Sequence, residues 1–178
     1  MANRQSLKDL QVRLAERLTA ARTEAATASW LAVEAAGQRF LIPLVQSGEI
    51  FSWTGIQPVP YTKPWYVGVA SLRGGLYGVV DLGQLAAPGS AGDARVADRI
   101  TSESRLVSLH AALGVNSVLW IDRLLGLRNP SMFASVDGAA ARPYPWFGRR
   151  LIDPQGRDWQ ELNLQALAGD AEFLSIAV

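Results

Sequence analysis

"GVASLRGGLYGVVDLGQL", residues 68–85, is the stretch on which the fold turns. Two apolar runs, "WYVGVASL" and "LYGVVDL", meet at Arg73-Gly74-Gly75. They read as two short strands joined by a tight hinge, with the glycines supplying the positive φ such a turn requires. A lone arginine sits in that hinge, so its purpose is the first question. The segment is no phosphate loop, because it lacks the G-x-x-x-x-G-K-[ST] spacing and its lysine, and G-x-G-x-x-G is absent as well. No nucleophile accompanies its backbone amides, which leaves a weak case for catalysis.

Outward from the hinge, the texture stays that of short strands. Upstream, "WLAVEAAGQRFLIPLVQ" predicts strands over Trp30–Ala35 and Gln38–Pro43 with a turn containing Gly37. Gly48, Gly55, Pro58, Pro60 and Pro64 punctuate residues 48–64 and exclude a long helix there. Residues 86–103 are small and polar and read as a surface loop or linker. Beyond it, "RLVSLHAALGVNSVLWIDRLLGL" predicts a strand, a turn at Gly114-Val115-Asn116, and a second strand through Trp120. Residues 133–159 read as irregular, and "WQELNLQALAGD" as a strand leading into a helical turn. Each half thus offers four or five short strands, a texture that suggests two small β-barrels divided near 86–103.

Only the N-terminal end looks helical. Leu7, Leu10, Leu14, Leu18 and Ala21 recur at three- and four-residue steps opposite Lys8, Arg13, Glu16 and Arg17, and Ser6 with Asp9 resembles a capping box. The leucine stripe is expected to pack on the protein's own core; a docking helix for a partner is the alternative.

Composition narrows the function. Apolar residues form 49% of the 178 residues and charged residues 19%, the balance of a folded domain. Lysine and arginine total 17 against 16 acidic residues, so the basic excess typical of nucleic-acid binders is missing. The chain has no cysteine, which removes disulfides, thiolate ligands and thiol nucleophiles and agrees with a reducing compartment. "MANRQSLKDLQVRLAERL" is charged throughout, unlike a signal peptide, and no stretch approaches a membrane span. A cytoplasmic protein is expected.

Candidate chemistry is sparse. The single histidine, His110, is placed on a strand with no partner that sequence can identify, so a structural role is expected. It cannot build a zinc site alone. Asp81, Asp122, Asp153 and Asp158 lack the alternate-residue spacing of a calcium loop. In "RPYPWFGRR", residues 142–150, Arg142, Arg149 and Arg150 flank Tyr144, Trp146 and Phe147. Such interleaving can hold single-stranded nucleic acid. The favoured reading is a proline-stiffened loop whose aromatics cap a barrel end.

These features together resemble the CheW-like coupling proteins. "WYVGVASLRGGLYGVVDL" is similar to that family's central signature, and "GEIFSWTGIQPVP" to its upstream segment, with Glu49 at the family's spacing ahead of Arg73. "VLWIDRLLGL" resembles the family's strand in the second barrel and "WQELNLQALA" its closing strand and helix. The N-terminal helix, Trp65 and the ending "FLSIAV" resemble the adaptors of type IV pilus (twitching) chemosensory systems.

The resemblance implies a mainly β fold of two pseudo-symmetric, SH3-like five-stranded β-barrels with an N-terminal amphipathic helix. Residues 1–28 would be a helical extension and 29–178 the CheW-like domain. It implies a non-enzymatic adaptor between a methyl-accepting chemoreceptor and a CheA-type histidine kinase. No catalytic residue, cofactor, metal or nucleic acid is expected. The family pattern assigns Glu49, Ile50, Arg73 and Gly74 to the partner-binding surface, with Glu49 and Arg73 paired across the first barrel in a bidentate, partly buried bridge that keeps a groove in shape. Two alternatives remain: a two-barrel scaffold for another signalling complex, and a single-strand nucleic-acid module using 142–150. The chain departs from the family pattern at Tyr77-Gly78, where proline is common, and at Ser47, where an apolar residue is common.

Overall fold

The computed structural model describes residues 2–27, 29–90, 96–137 and 143–178. Helix α1 (Ala2–Thr27) leads into the hairpin β1 (Trp30–Ala35) and β2 (Gln38–Pro43). Then come β3 (Ser47–Ser52), β4 (Tyr66–Leu72), β5 (Gly75–Asp81) and the short helices α2 (Leu82–Ala86) and α3 (Val96–Arg99). The remainder comprises β6 (Arg105–Leu109), β7 (Ser117–Ile121), β8 (Arg123–Arg128), β9 (Ser135–Asp137), β10 (Phe147–Ile152), β11 (Asp158–Leu162), α4 (Leu164–Ala168) and α5 (Ala171–Leu174).

The strands form two sheets, one of five strands in the order β3-β6-β7-β5-β4 and one of six in the order β8-β1-β2-β11-β10-β9. Both draw strands from either side of residues 86–103, so sequence halves and sheets do not coincide: β1 and β2 join the C-terminal strands, while β6 and β7 insert beside β3 and β5. The stretch 133–159, expected to be irregular, contributes β9, β10 and the start of β11. The strand expected to run on past Trp120 ends at Ile121. Arg123 opens a new one in the other sheet, where β8 pairs with β1.

Alternation along the inner strands explains the apolar content. Leu31, Val33 and Ala35 of β1 and Val107, Leu109, Leu119 and Ile121 of β6 and β7 face the core between the sheets. Trp30 and Ala32 point instead into the hollow of the six-stranded sheet, beside Leu41, Leu151 and Trp159. Leu106, Val118 and Trp120 fill the hollow of the five-stranded one. Strands buried on both faces read as continuous apolar runs.

The five-stranded sheet curls until it nearly closes. Gln57, in the connection beyond β3, exchanges hydrogen bonds of 2.8 and 2.9 Å with Val69 on the free edge of β4. That crossing demands Gly68. Its φ is +146°, and a Cβ there would stand 2.2 Å from the Gln57 carbonyl oxygen.

Helix α1 corrects two expectations. It begins at Ala2, so Ser6 lies inside it and not at a cap. Leu10, Leu14 and Leu18 are each more than half exposed, so the stripe is not packed on the protein's own core. No helix among the described residues is long and apolar enough to cross a membrane.

Candidate functional site

The hinge is a two-residue turn, with Leu72 opposite Gly75 across β4 and β5. Both turn residues are left-handed, Arg73 at φ +46° and Gly74 at φ +76°. The sequence assigned positive φ to the glycines, yet Arg73 itself takes one of the two positions while Gly75 begins β5. This geometry matches the right-handed twist of the strands, and a non-glycine residue held in it carries local strain of about 1 kcal/mol.

Arg73 meets Glu49, with Nη2 2.6 Å from Oε1. Glu49 is aimed there by an irregularity in β3, between Ser47 and Ile50. At that point the Glu49 N–H donates to the Oγ of Ser108 on β6, at 2.7 Å. Ser108 is a buried polar residue inside an apolar strand, and nothing local in the sequence marks its role. The irregularity of β3 thus presents a carboxylate to the hairpin tip.

The structure therefore brings three of the four signature residues together, with Ile50 next to Glu49 and exposed on edge strand β3. The expected partly buried bridge is corrected. Arg73 Nη2 approaches Glu49 Oε1, and the two side chains are 76% and 41% exposed, so the bridge lies at the surface. An exposed pair of this kind contributes about 0–1 kcal/mol, so it does little to hold the groove in shape. What it does is fix two charges beside exposed apolar groups: Ile50, and Leu76 three residues beyond the arginine.

Asp81, which the sequence left isolated, is a buried anchor. Its Oδ1 accepts from the Gln84 N–H at 3.1 Å, capping α2, and its carboxylate is paired with Arg99. The Arg99 guanidinium lies 4.5 Å from the centre of the Trp120 ring. Part of the stretch read as a surface loop is in this way pinned to the sheet at α3. Residues 91–95 of that stretch lie outside the described residues.

The remaining candidates are structural. His110 stands just past β6, and its Nδ1 accepts from the Ala112 N–H at 3.1 Å. Asp122 accepts from the Ala36 N–H at 2.7 Å and so holds the β1–β2 turn. Asp153 organises the β10–β11 turn: Oδ1 accepts from Gln155 and Arg157 N–H groups, and Oδ2 from Arg157 Nε and Trp159 Nε1. Burial opposes its charge, but the hydrogen bonds from Trp159 and Arg157, with the Arg157 charge, prevail and lower its pKa to about 2. Burial likewise opposes ionisation of Glu161. Hydrogen bonds from Arg149 and Trp30 outweigh it and hold that pKa below the ordinary value. No group of three or more potential metal ligands occurs among the described residues.

In the 142–150 segment, Arg142 lies outside the described residues. Trp146 and Phe147 are buried in the core between the sheets, and Tyr144 stacks on Trp146 at 4.9 Å. Arg149 bonds Glu161 and covers the Trp30 ring. The buried rings of Trp146 and Phe147 offer no free face to a nucleic-acid base.

Comparison with known proteins agrees with this architecture. Fifteen chains of solved structure match. Among them is the scaffolding protein TtCheW from Thermoanaerobacter tengcongensis, at TM-score 0.59 and 14% identity, covering 76% of this chain and 88% of that one. No curated protein sequence matches. The family model described as the CheW-like domain matches residues 29–172, from just after α1 to within α5. With that match spanning most of its length and the same fold in the solved scaffold, the chain belongs to the CheW-like domain family.

Proposed function

We propose that this protein is a non-enzymatic adaptor of a chemosensory array, coupling a methyl-accepting chemoreceptor to a CheA-type histidine kinase. The observation that carries the reading is the surface around the hinge. A fixed Glu49–Arg73 pair sits beside exposed Ile50 and Leu76 on an edge strand and hairpin, inside a chain of the CheW-like family. Charges set among apolar groups suit a protein surface that must be recognised and released. The candidate residues we assign to it are Glu49, Ile50, Arg73 and Gly74, the last keeping the turn in its left-handed form.

The pathway we favour is type IV pilus twitching motility, with PilI as the counterpart. That choice rests on the N-terminal helix, on Trp65 stacked against Phe173 near the C-terminus, and on the ending "FLSIAV". Such an adaptor would work in the cytoplasm, held at receptor arrays through its partners.

The test uses the full-length protein as bait in lysate of its source organism, read by mass spectrometry, beside an Arg73→Ala bait. Recovery of a CheA-type kinase and a methyl-accepting receptor by the first bait, reduced with the second, supports the adaptor role. If the kinase is pilus-linked, that supports the pathway. Recovery of neither, from lysate in which both are detectable, rejects it in favour of a scaffold for another complex.

A further inference from the structure

Strands β2 and β11 run parallel, so the turns that precede them, β1–β2 and β10–β11, stand side by side on the six-stranded sheet. Between them opens a cleft of about 400 Å³. Arg39 of β2, Arg150 of β10 and Arg157 of the second turn line it, with Gln38, Asp158 and Gln160. Two of the guanidiniums are anchored: Arg150 Nη2 lies 2.8 Å from Asp158 Oδ1, and Arg157 Nε donates to Asp153 Oδ2 at 2.7 Å. Arg39 has no ion-pair partner among the described residues, because its cross-strand neighbour Glu34 is engaged by Arg123 through two 3.1 Å bonds. The cleft therefore holds one unpaired guanidinium, that of Arg39, beside two already fixed in place.

We propose that this cleft receives the carboxylates of an acidic segment of a partner protein. Planar guanidinium forks match carboxylates two bonds at a time, and forks anchored in advance lose little side-chain freedom on binding. Small-molecule pockets are mostly apolar, whereas the lining here is mostly charged or amide-bearing. The one aromatic ring at the cleft, Trp159, is buried, so there is no platform for stacking nucleic-acid bases. The site lies on the sheet that does not carry Glu49 and Arg73, and the proposal does not depend on the adaptor reading.

Fluorescence anisotropy of the full-length protein with a labelled hexaglutamate peptide tests it, with a hexaglutamine peptide as control. Hexaglutamate is expected to bind, more weakly as salt rises, while hexaglutamine does not. Arg39→Gln should lower the affinity about tenfold with the melting temperature unchanged, since a hydrogen-bonded charge contact is lost. Arg150→Gln, which removes a second guanidinium from the lining, serves as a second variant and should act in the same direction. Arg73→Ala should leave this binding intact. Equal binding of both peptides, hexaglutamate binding untouched by either cleft variant, or no binding at all would overturn the proposal. Inorganic pyrophosphate displacing the peptide at concentrations below the peptide's own Kd would overturn it in favour of a small anion.

Discussion

Arg73 and Asp153 illustrate how exposure decides what a charged residue is for. Arg73 is solvated on every side but one, so Arg73→Ala should shift the melting temperature by no more than about 3 °C. Loss of kinase or receptor affinity in pull-down or calorimetry should still follow, because the charge pattern at the hairpin tip changes. A large thermal loss would show that the pair holds the fold after all. Asp153 is the opposite case, buried beneath four hydrogen bonds. Asp153→Asn should cost about 2 kcal/mol in denaturant unfolding at neutral pH. The folded-state pKa is depressed to about 2 from the ordinary 3.8. The contribution is therefore complete above pH 4 and is lost as the pH falls toward about 2. The wild type should accordingly lose stability across that acid range, and the asparagine variant should lose less. At this scale the sequence singled out Glu49, Ile50, Arg73 and Gly74 as candidates through a resemblance, and the structure sets Glu49 against Arg73 at the hairpin tip. Ser108 and Asp81 escaped, because each acts through a partner many positions distant.

Among the elements, the hairpin β4–β5 was the most legible, since two glycines between alternating apolar runs admit few other readings. What the pattern could not convey was the reason for Gly68. Its backbone is pressed against Gln57 of the incoming connection, a contact set by tertiary closure. Gly68→Ala should cost about 3 kcal/mol or more, measured by chemical denaturation, and should disturb the whole sheet. If the variant melted like the wild type, the Gln57–Val69 closure would have to be abandoned. A comparable outcome is expected at α3: Arg99→Ala leaves the buried Asp81 carboxylate without its counter-charge and should cost about 3 kcal/mol. Strands β9 and β10 were missed because the former spans three residues and the latter follows a stretch dense in proline and glycine.

Taken whole, the molecule depends on strands exchanged between sequence halves. The mainly β texture was legible, because apolar runs buried on both faces announce strands irrespective of neighbour. Which strand joins which sheet was not, since pairing partners leave no local mark. Truncation after residue 103 should give a chain lacking cooperative melting and dispersed amide resonances, because β1 and β2 lose β8 and β11 while β3 and β5 lose β6 and β7. A cooperative transition in that fragment would refute this dependence.

The same exchange bears on how the protein is made. During synthesis the β1–β2 hairpin is the first pair of strands to emerge, yet its neighbours β8 and β11 begin only at residues 123 and 158. At roughly 5–20 residues per second, that interval lasts on the order of ten seconds. For that time a tryptophan-bearing apolar hairpin waits at the ribosome with both edges bare, an invitation to chaperones and to like chains alike.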